Sequence, residues 1–216
     1  MNNFTDPNEK EASSFTKLNP FISAWLHPKQ TARYMIDAKS IGYAILVLSI
    51  GYIGSLLAGV TANDLPIWGI ILICLILSPI VGIIGTAISA GIFLLVGKLF
   101  KGTGIFSDLF KALSLNAIPF IVLIPFYIIL LIISPESLII TDFEEALPWT
   151  FWATNFVTIG ISIWSLVITV GAVAEAHRFS NWKAFFTILI PMIVFGLIMF
   201  AIIAVIIVGI LSVATI

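Results

Sequence analysis

The chain has 216 residues, of which 60% are hydrophobic and only 10% are charged, and its formal net charge is −1. Soluble domains carry about 25% charged residues, so this composition excludes a water-surrounded globular fold. A balanced charge also argues against a protein that binds nucleic acid. The single cysteine, Cys74, excludes an intramolecular disulfide. The composition therefore predicts an integral membrane protein whose main contact is the lipid bilayer.

The charged residues lie in segments that alternate in sign between uncharged apolar stretches. All ten Lys and Arg residues fall within positions 10–39, 98–111 and 178–183. The intervening segments carry only acids, namely Asp64, Glu136, Asp142, Glu144 and Glu145. Segments rich in Lys and Arg stay on the cytoplasmic side of a membrane because their translocation is disfavoured. The pattern predicts an all-α integral membrane protein with five transmembrane helices, a cytoplasmic N-terminus and an outside C-terminus.

The first 40 residues divide into two parts. Residues 1–19 are polar and mixed in charge, which predicts a disordered cytoplasmic tail before a membrane domain over 20–216. The following stretch places four apolar residues on one helical face before Pro28 interrupts it: Phe21, Ile22, Trp25 and Leu26. Trp, Tyr and Lys beside apolar residues are typical of the lipid headgroup layer. We expect one or two interfacial helices here.

The apolar stretches predict spans at about 41–62, 65–97, 112–133, 149–174 and 184–214. The second stretch is unusual because its 33 residues would make about 50 Å of helix against a hydrocarbon core of about 30 Å. Two spans would need about 40 residues plus a turn, and would place Lys98 outside. We therefore expect one long helix, tilted or kinked at Pro79.

Small residues recur at every fourth position of the first span. Gly51, Ser55 and Gly59 would share one face of that helix. In membranes, small residues allow helix backbones to approach closely. This run predicts a helix-packing face.

The connector between the second and third spans has two open interpretations. Phe106 and Phe110 fall on one face of a short helix, and Lys101 and Lys111 provide charge nearby. The first interpretation is an interfacial turn whose apolar side dips into lipid. The second is a docking surface for a partner, because aromatic residues ringed by cations can anchor a protein interface.

No set of residues predicts chemistry, so we expect no catalytic residue, no metal site and no cofactor. Glu175 and His177 lie two positions apart, on different faces of a helix, and no second histidine falls at the spacing that a zinc-binding helix needs. Ionisable groups at membrane depth are candidates for function. For Glu175 we instead expect an ion pair with Arg178, three positions later at the end of the fourth span.

Three segments carry a resemblance to a known family. They are PFISAWLHPKQTARYMID (20–37), GTGIFSDLFKALSLNAIPF (102–120) and GAVAEAHRFSNWKAFF (171–186). In this order they resemble the Yip (Ypt-interacting protein) domain family. The resemblance implies a five-span membrane domain, and the family's eukaryotic members associate with Rab-type GTPases in vesicle traffic. The short tail and the high isoleucine content resemble the bacterial branch, some of whose members resemble accessory components of ABC-type export machinery.

Two functions remain open. The resemblance and the lack of catalytic residues favour a non-enzymatic accessory or assembly factor in the cell membrane. Its expected partners are other membrane proteins, with ABC-type transporter subunits first among them. The alternative is a small transporter or channel. No span carries a charged residue near its centre, which counts against ion-coupled transport. Four prolines inside the spans keep that alternative open, because broken helices can line a pathway: Pro79, Pro119, Pro125 and Pro191.

Overall fold

The computed structural model describes residues 18–59, 65–133 and 149–214, and these residues contain helices but no strand. Two short helices come first, α1 (Pro20–Leu26) and α2 (Pro28–Ala38). Asn19 caps α1 by accepting a hydrogen bond from the backbone N–H of Phe21. The predicted tail, apart from its last two residues, and the predicted acidic loops lie outside the described residues.

The longer elements follow in chain order. They are α3 (Ile41–Ala58), α4 (Ile67–Leu99), α5 (Phe106–Leu113), a 3₁₀ turn (Ser114–Ala117), α6 (Ile118–Ile121), α7 (Leu123–Ile133), α8 (Trp149–His177) and α9 (Asn181–Ala214). Five helical stretches in the described part are long and apolar enough to cross a membrane: α3, α4, the α5–α7 stretch, α8 and α9. This confirms the predicted all-α, five-span fold.

The second and third spans differ in their regularity. Helix α4 runs without a break over 33 residues and contains Pro79. It is the single long helix that the sequence predicted. The third span is divided because proline lacks the backbone N–H that bonds to the carbonyl four residues earlier. Pro119 follows the 3₁₀ turn, and Pro125 leaves the carbonyl of Ile121, the last residue of α6, without that bond.

The bundle has two buried clusters of apolar side chains. The larger one joins α2, α3, α5 and α8, with Met35, Leu48, Leu109 and Ile168 among its buried members. The smaller one joins α3, α4 and α7, with Leu57 and Leu123 among its members. Helix α8 packs against both α2 and α5, and this brings the N-terminal helices onto one end of the bundle.

The closest backbone contact of α3 is with the third span. Gly51 lies against the backbone of Ala117 and Gly54 against the carbonyl of Phe120, so a Cβ at either glycine would overlap the facing chain. Ser55 is half-buried and Gly59 is exposed. The contact therefore uses two glycines three positions apart, and it shares only Gly51 with the predicted run of small residues.

Helix α9 is buried at its start and exposed beyond Pro191. Ala184, Thr187 and Ile188 are buried where the helix begins. From residue 192 to 207 every residue is exposed except the half-buried Ala204. Phe195 is 65% exposed and Phe200 is 73% exposed. We call residues 192–207 the exposed half of α9.

Candidate functional site at the basic end of the bundle

The three segments that carry the family resemblance meet at one end of the bundle. Helix α2 packs against α5 and α8, although these segments are far apart in the sequence. The amine of Lys111 donates to the backbone carbonyls of Ile36 and Lys39 and so ties α5 to α2. We call this the basic end, because the described Lys and Arg residues lie in these segments or within a few residues of them: Lys29, Arg33, Lys39, Lys98, Lys101, Lys111, Arg178 and Lys183.

An ion pair joins α2 to the last turn of α8. The Nη2 atom of Arg33 lies 2.6 Å from Oε1 of Glu175, and Nε of Arg33 donates to the same oxygen at 2.6 Å. The expected pairing of Glu175 with Arg178 was wrong. Helix α8 ends at His177, and Arg178 has a left-handed backbone with φ of 55°. The helical spacing that would bring these two side chains together is therefore lost.

A cavity of about 560 Å³ opens beside this ion pair, between α2, α5 and the end of α8. We call it the charged cavity. Its lining contains three cations and three acids: Lys29, Arg33, Arg178, Asp37, Asp108 and Glu175. Their formal charges cancel. The cavity can therefore hold a group that carries charge of both signs, and it falls in the size range of small-molecule sites, about 300–1,000 Å³.

His177 is buried next to this cavity, in a cradle of glycines. Its side chain is 1% exposed, and a Cβ at Gly97, Gly102 or Gly104 would overlap the imidazole ring. The backbone N–H of Gly104 donates to Nδ1 at 3.3 Å. Since Nδ1 must then accept, the ring proton lies on Nε2, which donates to the carbonyl of Phe93 at 3.1 Å. These two hydrogen bonds select the neutral ring.

The same histidine connects the end of α8 to the α4–α5 loop. The backbone N–H of Thr103 donates to the carbonyl of His177 at 3.2 Å, and its hydroxyl donates to that carbonyl at 3.3 Å. The carbonyls of a last helical turn lack partners within their own helix, so these bonds satisfy one of them. The ring of Phe179 stacks on the imidazole with centroids 5.0 Å apart. The cradle thus fixes the α4–α5 loop to α8.

Sequence reasoning missed this cradle. The available signal was the spacing of Gly97, Gly102 and Gly104, three glycines within eight positions beside a histidine-containing helix end. None of the three has a positive φ, so they are required by the size of the ring and not by a turn. Among the described residues, no group of three or more His, Cys, Asp or Glu side chains could hold a metal ion.

The four residues predicted to dock a partner have two different environments. Phe106 is 46% exposed and Lys101 is exposed. Phe110 is 6% exposed and belongs to the larger buried cluster, and Lys111 is held by backbone carbonyls. The rings of Phe106 and Phe110 stack at 6.3 Å. The structure thus leaves Phe106 and Lys101 at the surface, while Phe110 and Lys111 fix α5 to its neighbours.

The five long apolar helices, with cations gathered at one end, define a multi-pass membrane protein. The family model of the Yip1 domain matches residues 22–214, nearly the whole chain, and the chain belongs to the Yip1 domain family. The resemblance carried by the three segments is thereby confirmed. No curated protein and no solved structure matches the chain.

Proposed function

We propose that this Yip1-domain protein is a non-enzymatic accessory or assembly factor for another membrane complex in the cell membrane. The observation that carries the proposal is the exposed half of α9. In each of the other four spans, 28–33% of the most apolar 18-residue stretch is buried inside the described bundle. In α9 none of the corresponding stretch is buried. An ABC-type exporter is the proposed partner, and this choice rests on the resemblance to bacterial members of the family.

The exposed half of α9 is suited to lateral contact with another membrane protein. Lipid tails are as apolar as leucine, so transmembrane helices associate through close packing and not through the hydrophobic effect. Such packing needs a helix surface that the protein's own helices do not already occupy. The exposed half of α9 offers this surface, since its residues are exposed except the half-buried Ala204.

Photo-crosslinking tests the lateral contact. A crosslinking residue at Phe195 or Val205, which are 65% and 73% exposed, should capture a subunit of an ABC-type exporter in cell membranes. The matched control is Leu95 on α4, which is 71% exposed and should capture lipid only. Capture of lipid alone from all three positions would contradict the proposal.

A second contact at the basic end uses Phe106 and Lys101. We expect Phe106→Ala to leave the protein at normal abundance and to reduce recovery of the exporter subunit in a pull-down, because aromatic anchors dominate interface energies. Ile129→Ala, at a 54% exposed position of α7, is the control. Equal recovery with both variants would remove this contact from the proposal.

The alternative, a small transporter or channel, is favoured by the charged cavity of about 560 Å³. It predicts solute flux by the purified protein alone in lipid vesicles. Flux that is lost in Glu175→Gln and kept in Phe106→Ala would favour the transporter over the assembly factor.

The proposed orientation places the basic end in the cytoplasm and the C-terminus outside. It rests on the position of the described cations at one end of the bundle. Reporter fusions after Lys101 should report the cytoplasm, and fusions after Glu144 should report the outside. A cytoplasmic signal at Glu144 would overturn the orientation.

A further inference from the structure

An apolar groove lies next to the charged cavity. A third cavity, of about 320 Å³, shares Arg33 and Glu175 with the charged cavity, and Lys29 lines all three spaces. The groove, of about 260 Å³, lies between the start of α2, α8 and the start of α9. Its apolar lining includes Leu166, Val167, Val170 and Phe185. A charged space and an apolar space therefore share one lining side chain, Lys29.

The two spaces lie at different depths along α8. The charged cavity is at Glu175, and the groove extends back along the helix to Leu166. The groove covers α8 from Gly171 back to Leu166, about 8 Å of helix, and runs from the basic end toward the centre of the span. A ligand that fills both spaces needs a polar head and an apolar chain whose first part lies along the groove, over about 8 Å of helix. Membrane lipids have this form.

Lys29 is held at the junction by its stem. A Cβ at Gly171 would lie 3.4 Å from Cγ of Lys29 and 3.5 Å from Cβ of Pro28. Gly171 therefore lets the start of α2 lie directly on α8. A lysine in this position packs its methylene groups on the apolar surface and keeps its amine among polar groups. The amine would then face the phosphate of a bound lipid, and the methylene groups would face its acyl chain.

The charge balance of the cavity selects the headgroup. Arg33 and Glu175 already pair with each other. Two cations, Lys29 and Arg178, remain for a phosphate, and two acids, Asp37 and Asp108, remain for a cation. An anionic lipid would use only the first pair and would meet the two carboxylates. A headgroup with a phosphate and a primary ammonium uses both pairs, and its N–H groups can donate to the carboxylates.

We propose that the charged cavity and the apolar groove together bind one zwitterionic phospholipid of the phosphatidylethanolamine class. Its phosphate lies at Lys29 and Arg178, its ammonium at Asp37 and Asp108, and one acyl chain in the groove along α8. This site is independent of the proposed role in assembly, because it uses neither the exposed half of α9 nor Phe106.

Native mass spectrometry of the purified protein tests the headgroup. The probes are phosphatidylethanolamine and phosphatidylglycerol with identical acyl chains. We expect one molecule of phosphatidylethanolamine to bind about tenfold more tightly than phosphatidylglycerol, a ratio that corresponds to about 1.4 kcal/mol. Asp37→Asn with Asp108→Asn should abolish this preference, and Lys98→Gln, a change at an exposed cation outside the cavity, should keep it. Equal or tighter binding of phosphatidylglycerol to the wild type would overturn the proposal.

If the double variant does not fold, Lys29→Gln provides the second measurement. This variant should bind both lipids several-fold more weakly, because the phosphate contact is common to them. Unchanged binding of both lipids to a folded Lys29→Gln protein would also overturn the proposal.

The groove is tested separately from the headgroup. Val167→Trp should fill the groove from its exposed side and weaken the binding of phosphatidylethanolamine about tenfold. Ile163→Trp is the control, since Ile163 is exposed on the same helix and does not line the groove. Soluble glycerophosphoethanolamine should not displace the lipid at equal concentration. Displacement by this headgroup compound, or equal effects of the two tryptophan variants, would show that the site does not hold a lipid chain.

Discussion

The basic end and the exposed half of α9 are both helical but are held in different ways. At the basic end, α2, α5 and α8 are joined by an ion pair, by the glycine cradle of His177 and by the Lys111 amine on two backbone carbonyls. In the exposed half of α9, none of the side chains described at residues 192–207 is buried. High mean hydropathy does not lead to burial, since the most apolar stretch of α9 has the highest value of the five spans, 3.0, and none of it is buried.

The difference follows from the properties of the bilayer as a solvent. An apolar side chain gains little by moving from lipid to a helix interface, so hydrophobicity alone does not fix which helices touch. Contacts are instead fixed where small residues allow close approach or where polar groups find partners away from water. The basic end contains both kinds of contact, and the exposed half of α9 contains neither within the described residues.

The largest effect is expected from a direct comparison of two glycines. Gly97→Val should lower the free energy of unfolding by about 3 kcal/mol, because its side chain would overlap the ring of His177. Gly196→Val should change it by no more than about 0.5 kcal/mol, since a Cβ at Gly196 meets nothing within 4 Å. Thermal unfolding in detergent measures both variants. Similar shifts in the unfolding temperature of the two variants would contradict the difference between the two regions.

A smaller effect is expected at the contact between α3 and the third span. Gly54→Ala should lower the free energy of unfolding by about 2 kcal/mol, because the facing atoms belong to the backbone of Phe120 and cannot rotate away. Ser55→Ala, at the next and half-buried position, should cost less than about 0.5 kcal/mol. Should Ser55→Ala prove the more damaging change, the contact would follow the spacing of four predicted from the sequence.

The smallest effect is expected from the ion pair of Arg33 and Glu175. Arg33 is 57% exposed on its side chain, so solvent weakens the attraction, and the coupling should be below about 1 kcal/mol. A double-mutant cycle with Arg33→Gln and Glu175→Gln, followed by thermal unfolding, measures it. A coupling well above that value would contradict the weakening by solvent that the exposure of Arg33 implies.

The spans were predictable because their signals are local. A run of apolar residues that long must cross the membrane as a helix, since the bilayer leaves no other way to satisfy the backbone. The same holds for the break between α1 and α2, where Pro28 follows His27. The residues that form the basic end were also recognisable, because the three family segments contain most of them.

The partners within the basic end were not predictable from local spacing. Glu175 was expected to pair with Arg178, a neighbour in sequence, but its partner is Arg33, 142 positions away. Phe110 and Phe106 share a helix face in the sequence, yet the packing of α5 buries only Phe110. In both cases the outcome depends on which helix lies alongside, and no helix carries that information by itself.

The sequence by itself determined the number of spans, the helical class, the family and the gathering of positive charge into three segments. Each of these depends on composition or on short-range pattern, and the bilayer converts a long apolar run directly into a helix. Only the tertiary structure decided that Gly97, Gly102 and Gly104 enclose His177 and that a charged cavity and an apolar groove meet at the Lys29 side chain. These features arise between helices, where the fit of particular side chains, and not their hydrophobicity, selects the neighbours.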